Sequence, residues 1–194
     1  ENTENYKLCL EEYDKYITDI AELIKEVGIN NSKDAVSYLH LLLTSGHFSK
    51  FHTHQYKKHQ YESENLVRLS GARVLTGKTV CRHQASFITD VLNKLGYTAA
   101  NMAVIATEHN PIKLARVKNL TYNHAVVSVL DKKGFYLFDP TNGLFSGKPT
   151  SISFKEPESI LVSEYLSPNQ EKPKYLVMNP NSNPLNRDIE ENFK

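Results

Sequence analysis

The sequence predicts an α+β fold, because helical periodicity dominates its first half and strand patterns dominate its second. The 194 residues are 40% hydrophobic, a length and composition suited to one core. We predict a single domain over residues 1–178, with a helical part in about residues 1–70 and a core in about residues 71–145. Residues 179–194 begin with repeated Asn and Pro and are predicted to form an extended tail.

Three helices are predicted from the spacing of apolar residues. In residues 6–27 the apolar positions recur at steps of three and four, and Gly28 ends the helix because glycine accepts the left-handed C-cap conformation. The second helix is predicted to begin with Ser32 as its N-cap and to stop at Gly46. The third covers residues 81–95.

Strand patterns follow the third helix. The strongest candidates are residues 97–106, 124–130 and 135–138, and the weaker ones are residues 152–154, 160–162 and 175–178. A short turn joins the second and third candidates, so we predict an antiparallel hairpin there.

Charge and cysteine content exclude several classes of protein. The 23 Lys and Arg residues balance 22 Asp and Glu residues, whereas a nucleic-acid module normally carries a basic surface. No apolar run approaches the roughly 20 residues that span a bilayer. Two cysteines, Cys9 and Cys81, cannot build a multi-bridge disulfide framework. We expect a soluble protein with no membrane span and no nucleic-acid partner, and the sequence does not choose a compartment or an oligomeric state.

Cys81 is predicted to begin the third helix. The N–H groups and the positive end of a helix stabilise a thiolate, which is the nucleophilic form of cysteine. A lone cysteine is more often a small buried apolar residue, so Cys81 alone does not establish a reactive site.

The hairpin carries two further candidates, His124 and Asp139. If its loop has two or four residues, Leu130 pairs with Phe135, and counting by twos puts His124 and Asp139 on one face as diagonal neighbours. A three-residue loop would separate them. Pro140 ends the strand directly after the carboxylate.

Together these three residues have the composition of a thiol acyl-transfer site. Cys81 would be the nucleophile, His124 would take the thiol proton and later protonate the leaving group, and Asp139 would orient the imidazole. Backbone N–H groups at the helix start could hold the oxyanion.

These residues and their neighbours resemble the transglutaminase-like superfamily, which is related to the papain-type cysteine proteases. The resemblance covers about residues 70–145, and the segments that carry it are Gly77-x-x-Val80-Cys81-Arg82-x-x-Ala85, Leu92-x-x-Leu95-Gly96-Tyr97, Asn123-His124-Ala125-Val126-Val127 and Phe138-Asp139-Pro140-Thr141-Asn142. It implies a helix with the nucleophile packed against an antiparallel sheet with the other two residues. It also implies a peptidase or amidase, as in many bacterial members, acting on a protein or peptide without a cofactor or metal.

One departure from the animal transglutaminases affects the expected reaction. Arg82 follows Cys81 where those enzymes have tryptophan, and the chain contains no tryptophan at all. This puts calcium-dependent crosslinking in doubt and favours hydrolysis. Gln60, Tyr61 and Asn65 are candidates for a side chain in the oxyanion hole, and the sequence does not choose among them.

Three alternatives stay open. The chain could transfer acyl groups from glutamine to amines or deamidate glutamine, or it could be a catalytically silent peptide-binding module of the same fold. The five histidines between His40 and His59 could instead bind zinc, although no third ligand has a recognisable spacing. The segment 107–121 is the first candidate for substrate contacts.

Overall fold

The computed structural model describes residues 2–45, 71–76, 79–107, 122–132, 134–146, 150–152, 160–165 and 174–178. The chain divides into two compact units, Glu1–Thr98 and Ala99–Lys194. The first unit holds the described helices, and the second holds nearly all of the described strand residues. Helices followed by an antiparallel sheet confirm the predicted α+β class.

The first unit contains helix α1 (Asn2–Glu26), helix α2 (Ser32–Thr44), a 3₁₀ helix (Gly71–Thr76) and helix α3 (Cys81–Lys94). Gly28, with φ 81°, follows α1, and Gly96, with φ 88°, follows α3, so the helices end near the predicted glycines. Helix α2 corrects one detail, because Asn31 rather than Ser32 is its N-cap. The Asn31 side chain accepts a 2.9 Å hydrogen bond from the N–H of Asp34, and Ser32 is buried as the first helical residue.

Helix α3 is the central element of the first unit, since α1, α2 and the 3₁₀ helix all contact it. Its inward side chains are fully buried, and they are Ala85, Phe87, Ile88, Val91 and Leu92. Each large aliphatic or aromatic side chain buried in this way contributes about 1.5–3 kcal/mol of hydrophobic stabilisation. The position of the N-terminus of α3, where Cys81 lies, is therefore fixed by a packed core.

A polar contact lies within this helical packing. The Tyr13 hydroxyl donates a 2.6 Å hydrogen bond to Oδ2 of Asp90, and Gly71 lies directly against this pair. A methyl group on Gly71 would overlap the Tyr13 hydroxyl and would lie 3.0 Å from the backbone nitrogen of Phe87. The 3₁₀ helix therefore lies so close to α3 that position 71 has room for glycine only.

The strands form one seven-stranded sheet in the order β4-β3-β2-β1-β7-β6-β5. Their bounds are β1 (Thr98–Thr107), β2 (His124–Asp131), β3 (Gly134–Asp139), β4 (Leu144–Ser146), β5 (Thr150–Ile152), β6 (Ile160–Tyr165) and β7 (Lys174–Met178). Strand β4 has no counterpart in the sequence prediction. The other six overlap the predicted strands, with ends that differ by at most three residues.

The β2–β3 register agrees with the predicted hairpin. Leu130 pairs with Phe135 and Asp131 pairs with Gly134, so the connection has two residues. Directly paired residues share a face of the sheet. The face with Leu130 and Phe135 carries a buried cluster, which consists of Met102, Val104, Val126, Phe135, Leu137 and Leu176. The opposite face of the hairpin is buried as well.

Some predictions fall outside the described residues. These include the tail at residues 179–194 and most of the substrate-contact segment, residues 108–121. A single domain over residues 1–178 stays a prediction, as does the packing of α3 on the sheet. Within the described part of the chain, no helix is both long enough and apolar enough to cross a bilayer.

Candidate active site

His124 and Asp139 meet at one end of the β2–β3 hairpin. Nε2 of His124 lies 2.9 Å from Oδ2 of Asp139, and the two side chains are 12% and 1% exposed. The contact does not meet the angular criteria of a hydrogen bond, so we describe it as a close electrostatic contact between the carboxylate and the ring nitrogen. The structure thus brings together the two hairpin residues that the register predicted to be neighbours.

The carboxylate of Asp139 is held by the turn that follows it. Its Oδ1 accepts the backbone N–H of Thr141 at 3.0 Å and that of Asn142 at 3.3 Å. Its Oδ2 accepts Nδ2 of Asn142 at 2.7 Å in addition to the contact with His124. A buried carboxylate needs such donors, because an unpaired charge in the interior is costly.

Opposing effects act on the ionisation of Asp139. Burial alone would raise the pKa of its carboxyl group, because the interior solvates a charge poorly. The interactions with His124 and Asn142 outweigh burial and hold the pKa of Asp139 below its ordinary value. Near neutral pH, Asp139 therefore presents a full negative charge to the imidazole of His124.

Asn123 anchors the start of β2, immediately before His124. Its Oδ1 accepts the N–H of Ala106 at 2.8 Å, and its Nδ2 donates to the carbonyl of Ala106 at 3.1 Å. Its own backbone N–H donates to the carbonyl of Val104 at 3.2 Å. The amide side chain thus forms the pair of hydrogen bonds that a neighbouring strand residue would form, and it links the backbone before His124 to β1.

Cys81 is a free, partly exposed thiol at the first position of α3. The preceding Val80 is extended, and its carbonyl accepts the N–H groups of His83 at 2.9 Å and Gln84 at 3.3 Å. The N–H of Cys81 precedes these and has no acceptor within the helix. Cys81 therefore lies at the N-terminus of α3, where the sequence predicted it, and its role as a nucleophile stays a prediction.

His83 caps this helix start with its ring. Its Nδ1 accepts the backbone N–H of Val80 at 3.2 Å, which is one half of a capping box. Nε of Arg82 lies 3.3 Å from Nε2 of the same ring, but a neutral imidazole has only one acceptor nitrogen. We assign the ring proton to Nε2, because the backbone N–H of Val80 has a fixed direction and the Arg82 side chain is exposed. Burial, together with the charges of Arg82 and Arg73, lowers the pKa of His83 to about 4.

The three predicted site residues are divided between the two units. His124 and Asp139 belong to the second unit and touch each other, whereas Cys81 belongs to the first. The oxyanion-hole candidates Gln60, Tyr61 and Asn65 lie outside the described residues, as do the histidines from position 47 to 59. Among the side chains that are described, no group of three or more His, Cys, Asp and Glu could hold a metal ion.

Sequence reasoning did not assign roles to Asn142, Asn123 or the ring of His83 as a cap. Asp-x-x-Asn at a strand end is typical of a turn in which the aspartate accepts backbone N–H groups, and this signal could have pointed to Asn142. A polar side chain at the third position of a helix is similarly a known capping signal and could have pointed to His83.

Comparison with known proteins found no matching family model, no matching curated protein and no matching solved structure.

Proposed function

We propose that this chain is a cysteine-dependent enzyme that transfers an acyl group from an amide bond, acting as a transglutaminase-like peptidase or amidase. Cys81 is the nucleophile, His124 is the general base and acid, and Asp139 orients His124. The observation that carries the proposal is the contact of 2.9 Å between Nε2 of His124 and the buried, ionised carboxylate of Asp139.

The ring nitrogen that Asp139 contacts determines how the imidazole would work. A carboxylate beside Nε2 favours the tautomer with its proton on Nε2, so Nδ1 becomes the basic nitrogen. In the proposed reaction, Nδ1 accepts the proton of the Cys81 thiol. The resulting imidazolium is stabilised by the charge of Asp139.

The reaction then follows the usual course of a thiol acyl transfer. The sulfur of Cys81 attacks the amide carbon, and the carbonyl electrons move onto the oxygen. His124 donates its proton to the leaving nitrogen as the carbon–nitrogen bond breaks, which leaves a thioester on Cys81. Water, deprotonated by His124, cleaves that thioester to a carboxylic acid and regenerates the thiol.

The N-terminus of α3 supports the same proposal. The backbone N–H of Cys81 has no acceptor within the helix, so it is suited to donate to the oxyanion. The resemblance to the transglutaminase-like superfamily adds the expectation of a protein or peptide substrate. The family assignment rests on this resemblance alone and is itself part of the proposal.

The test is mass spectrometry of the protein incubated with a peptide library, with and without a primary amine such as putrescine. Peptidase or amidase activity predicts cleaved peptides, with the elements of water added, in both reactions. Cys81→Ala and His124→Ala are expected to abolish the change, and Lys132→Ala, in the exposed turn of the hairpin, is the matched control.

Each other outcome identifies a different function. Incorporation of the amine into glutamine, or conversion of glutamine to glutamate, would identify the protein-glutamine acyltransferase alternative. Binding of peptides without any change in their mass would identify a silent binding module. Turnover that persists in Cys81→Ala would contradict a role for this thiol.

A further inference from the structure

Asn142 contacts both oxygens of the Asp139 carboxylate. Its backbone N–H donates to Oδ1 at 3.3 Å, and its side-chain Nδ2 donates to Oδ2 at 2.7 Å. The second bond is shorter than the contacts of this carboxylate with Thr141 and with His124, at 3.0 and 2.9 Å. One residue thus holds the group at both ends.

The turn itself does not require the side chain of Asn142. The N–H of Gly143 donates to the carbonyl of Asp139 at 2.8 Å and closes the turn, and Gly143 has a φ of 66°. The N–H of Thr141 donates to Oδ1 at 3.0 Å. Both bonds come from the backbone and would persist with another residue at position 142.

The side chain of Asn142 instead affects the oxygen that faces His124. Oδ2 accepts the hydrogen bond from Nδ2 of Asn142 and also contacts Nε2 of His124. The Cβ–Cγ torsion of aspartate is soft, and rotation about it would lengthen the two bonds to Oδ1 and carry Oδ2 away from the ring. The amide of Asn142 opposes this rotation with a short bond to the oxygen that moves.

We propose that Asn142 is a positioning residue, which fixes Oδ2 of Asp139 against Nε2 of His124 and thereby selects the imidazole tautomer. Its importance for catalysis rests on the proposed function. Its effect on the ring does not, because the contact of Asp139 with His124 exists whether or not Cys81 reacts.

Two variants separate the side chain from the backbone turn. Asn142→Leu has nearly the same size without a donor, and Asn142→Ala removes the side chain. Asn142 is exposed, so both variants are expected to fold, with a thermal midpoint near that of the wild type. Lys132→Ala, in the exposed turn between β2 and β3, is the control.

The first measurement is nitrogen NMR of protein labelled at its histidines, with the His124 signals identified by their loss in His124→Gln. In the wild type at neutral pH, the proton of the neutral ring is expected on Nε2. In both Asn142 variants, a substantial part is expected on Nδ1. A tautomer unchanged in both variants overturns the proposal.

The second measurement is the rate at which iodoacetamide alkylates Cys81 near pH 7. We expect the rate to fall about tenfold in both Asn142 variants, comparable to the loss caused by removing the outer partner of a metal-binding histidine. If Cys81 reacts equally with and without His124, the proposed function fails, while the NMR measurement still decides the role of Asn142. A changed tautomer with an unchanged alkylation rate would contradict the catalytic part of the inference.

Discussion

Asp139 holds Nε2 of His124 from the neighbouring strand, with Oδ2 at 2.9 Å and the carboxylate almost completely buried. A buried charge of this kind stabilises the imidazolium that a base becomes after accepting a proton.

Asp139→Asn is expected to reduce turnover of the wild-type substrate by about 10²–10⁴-fold. The amide keeps the shape of the carboxylate but loses its charge and permits the wrong tautomer of His124. The measurement is the initial rate on a peptide that the library experiment identifies. Asp131→Asn makes the same chemical change at the other end of the hairpin, and a loss of similar size there would contradict a specific role for Asp139.

Asn123→Ala is expected to lower activity more than it lowers stability. The substitution removes both side-chain bonds to Ala106, at 2.8 and 3.1 Å, and loosens the backbone just before His124. Because the site is exposed, water can replace these bonds, so the free energy of unfolding should fall by only about 1 kcal/mol. Steady-state kinetics and urea unfolding of the same preparation make the comparison. Full activity together with such a small loss of stability would contradict a role for Asn123 in placing His124.

His83 predicts a pH dependence of stability. Its pKa is about 4 in the folded protein and about 6.5 when unfolded, so between these values the unfolded chain binds a proton that the folded protein does not. The free energy of unfolding should therefore fall as the pH drops below about 6.5, and this loss should level off below about pH 4.

His83→Gln isolates this effect, because glutamine keeps an acceptor for the N–H of Val80 but does not titrate. Between pH 7.5 and pH 5, the wild type should lose up to about 2 kcal/mol more stability than the variant. Urea unfolding at the two pH values measures the difference. Parallel losses in the two proteins would mean that His83 is not held neutral.

The close approach of Gly71 to the Tyr13–Asp90 pair predicts non-additive substitutions. Gly71→Ala should destabilise the protein by about 1–3 kcal/mol, because its methyl group overlaps the Tyr13 hydroxyl. Tyr13→Phe removes that hydroxyl and should cost about 1–3 kcal/mol by leaving Asp90 without its donor. In the double variant the total should be smaller than the sum, and strict additivity in urea unfolding would contradict the described contact.

The sequence predicted the parts of the site that depend on local pattern. Period-two alternation and a two-residue turn were enough to place His124 and Asp139 on one face. A helix that ends before Gly96 and begins at Cys81 followed from apolar periodicity.

Other features depended on tertiary contacts that carry weak local signals. The predicted N-cap of α2 is wrong by one residue, because Asn31 and Ser32 are adjacent and both residue types are good caps; Asn31 is the cap and Ser32 is buried. The close packing of Gly71 joins residues far apart in the chain, whereas the contact of Asn142 with Asp139 belongs to a turn motif, Asp-x-x-Asn. Neither contact is encoded by periodicity.

The central claim is that His124 activates the thiol of Cys81. Its most direct test is the rate of alkylation by iodoacetamide from pH 5 to pH 9, followed by peptide mass spectrometry, with Cys9 as an internal reference and Cys81→Ala as the blank. At pH 6 we expect Cys81 to react at least about tenfold faster than Cys9 in the wild type, and we expect His124→Ala to remove this advantage. The same pH profile for Cys81 with and without His124 would contradict the account.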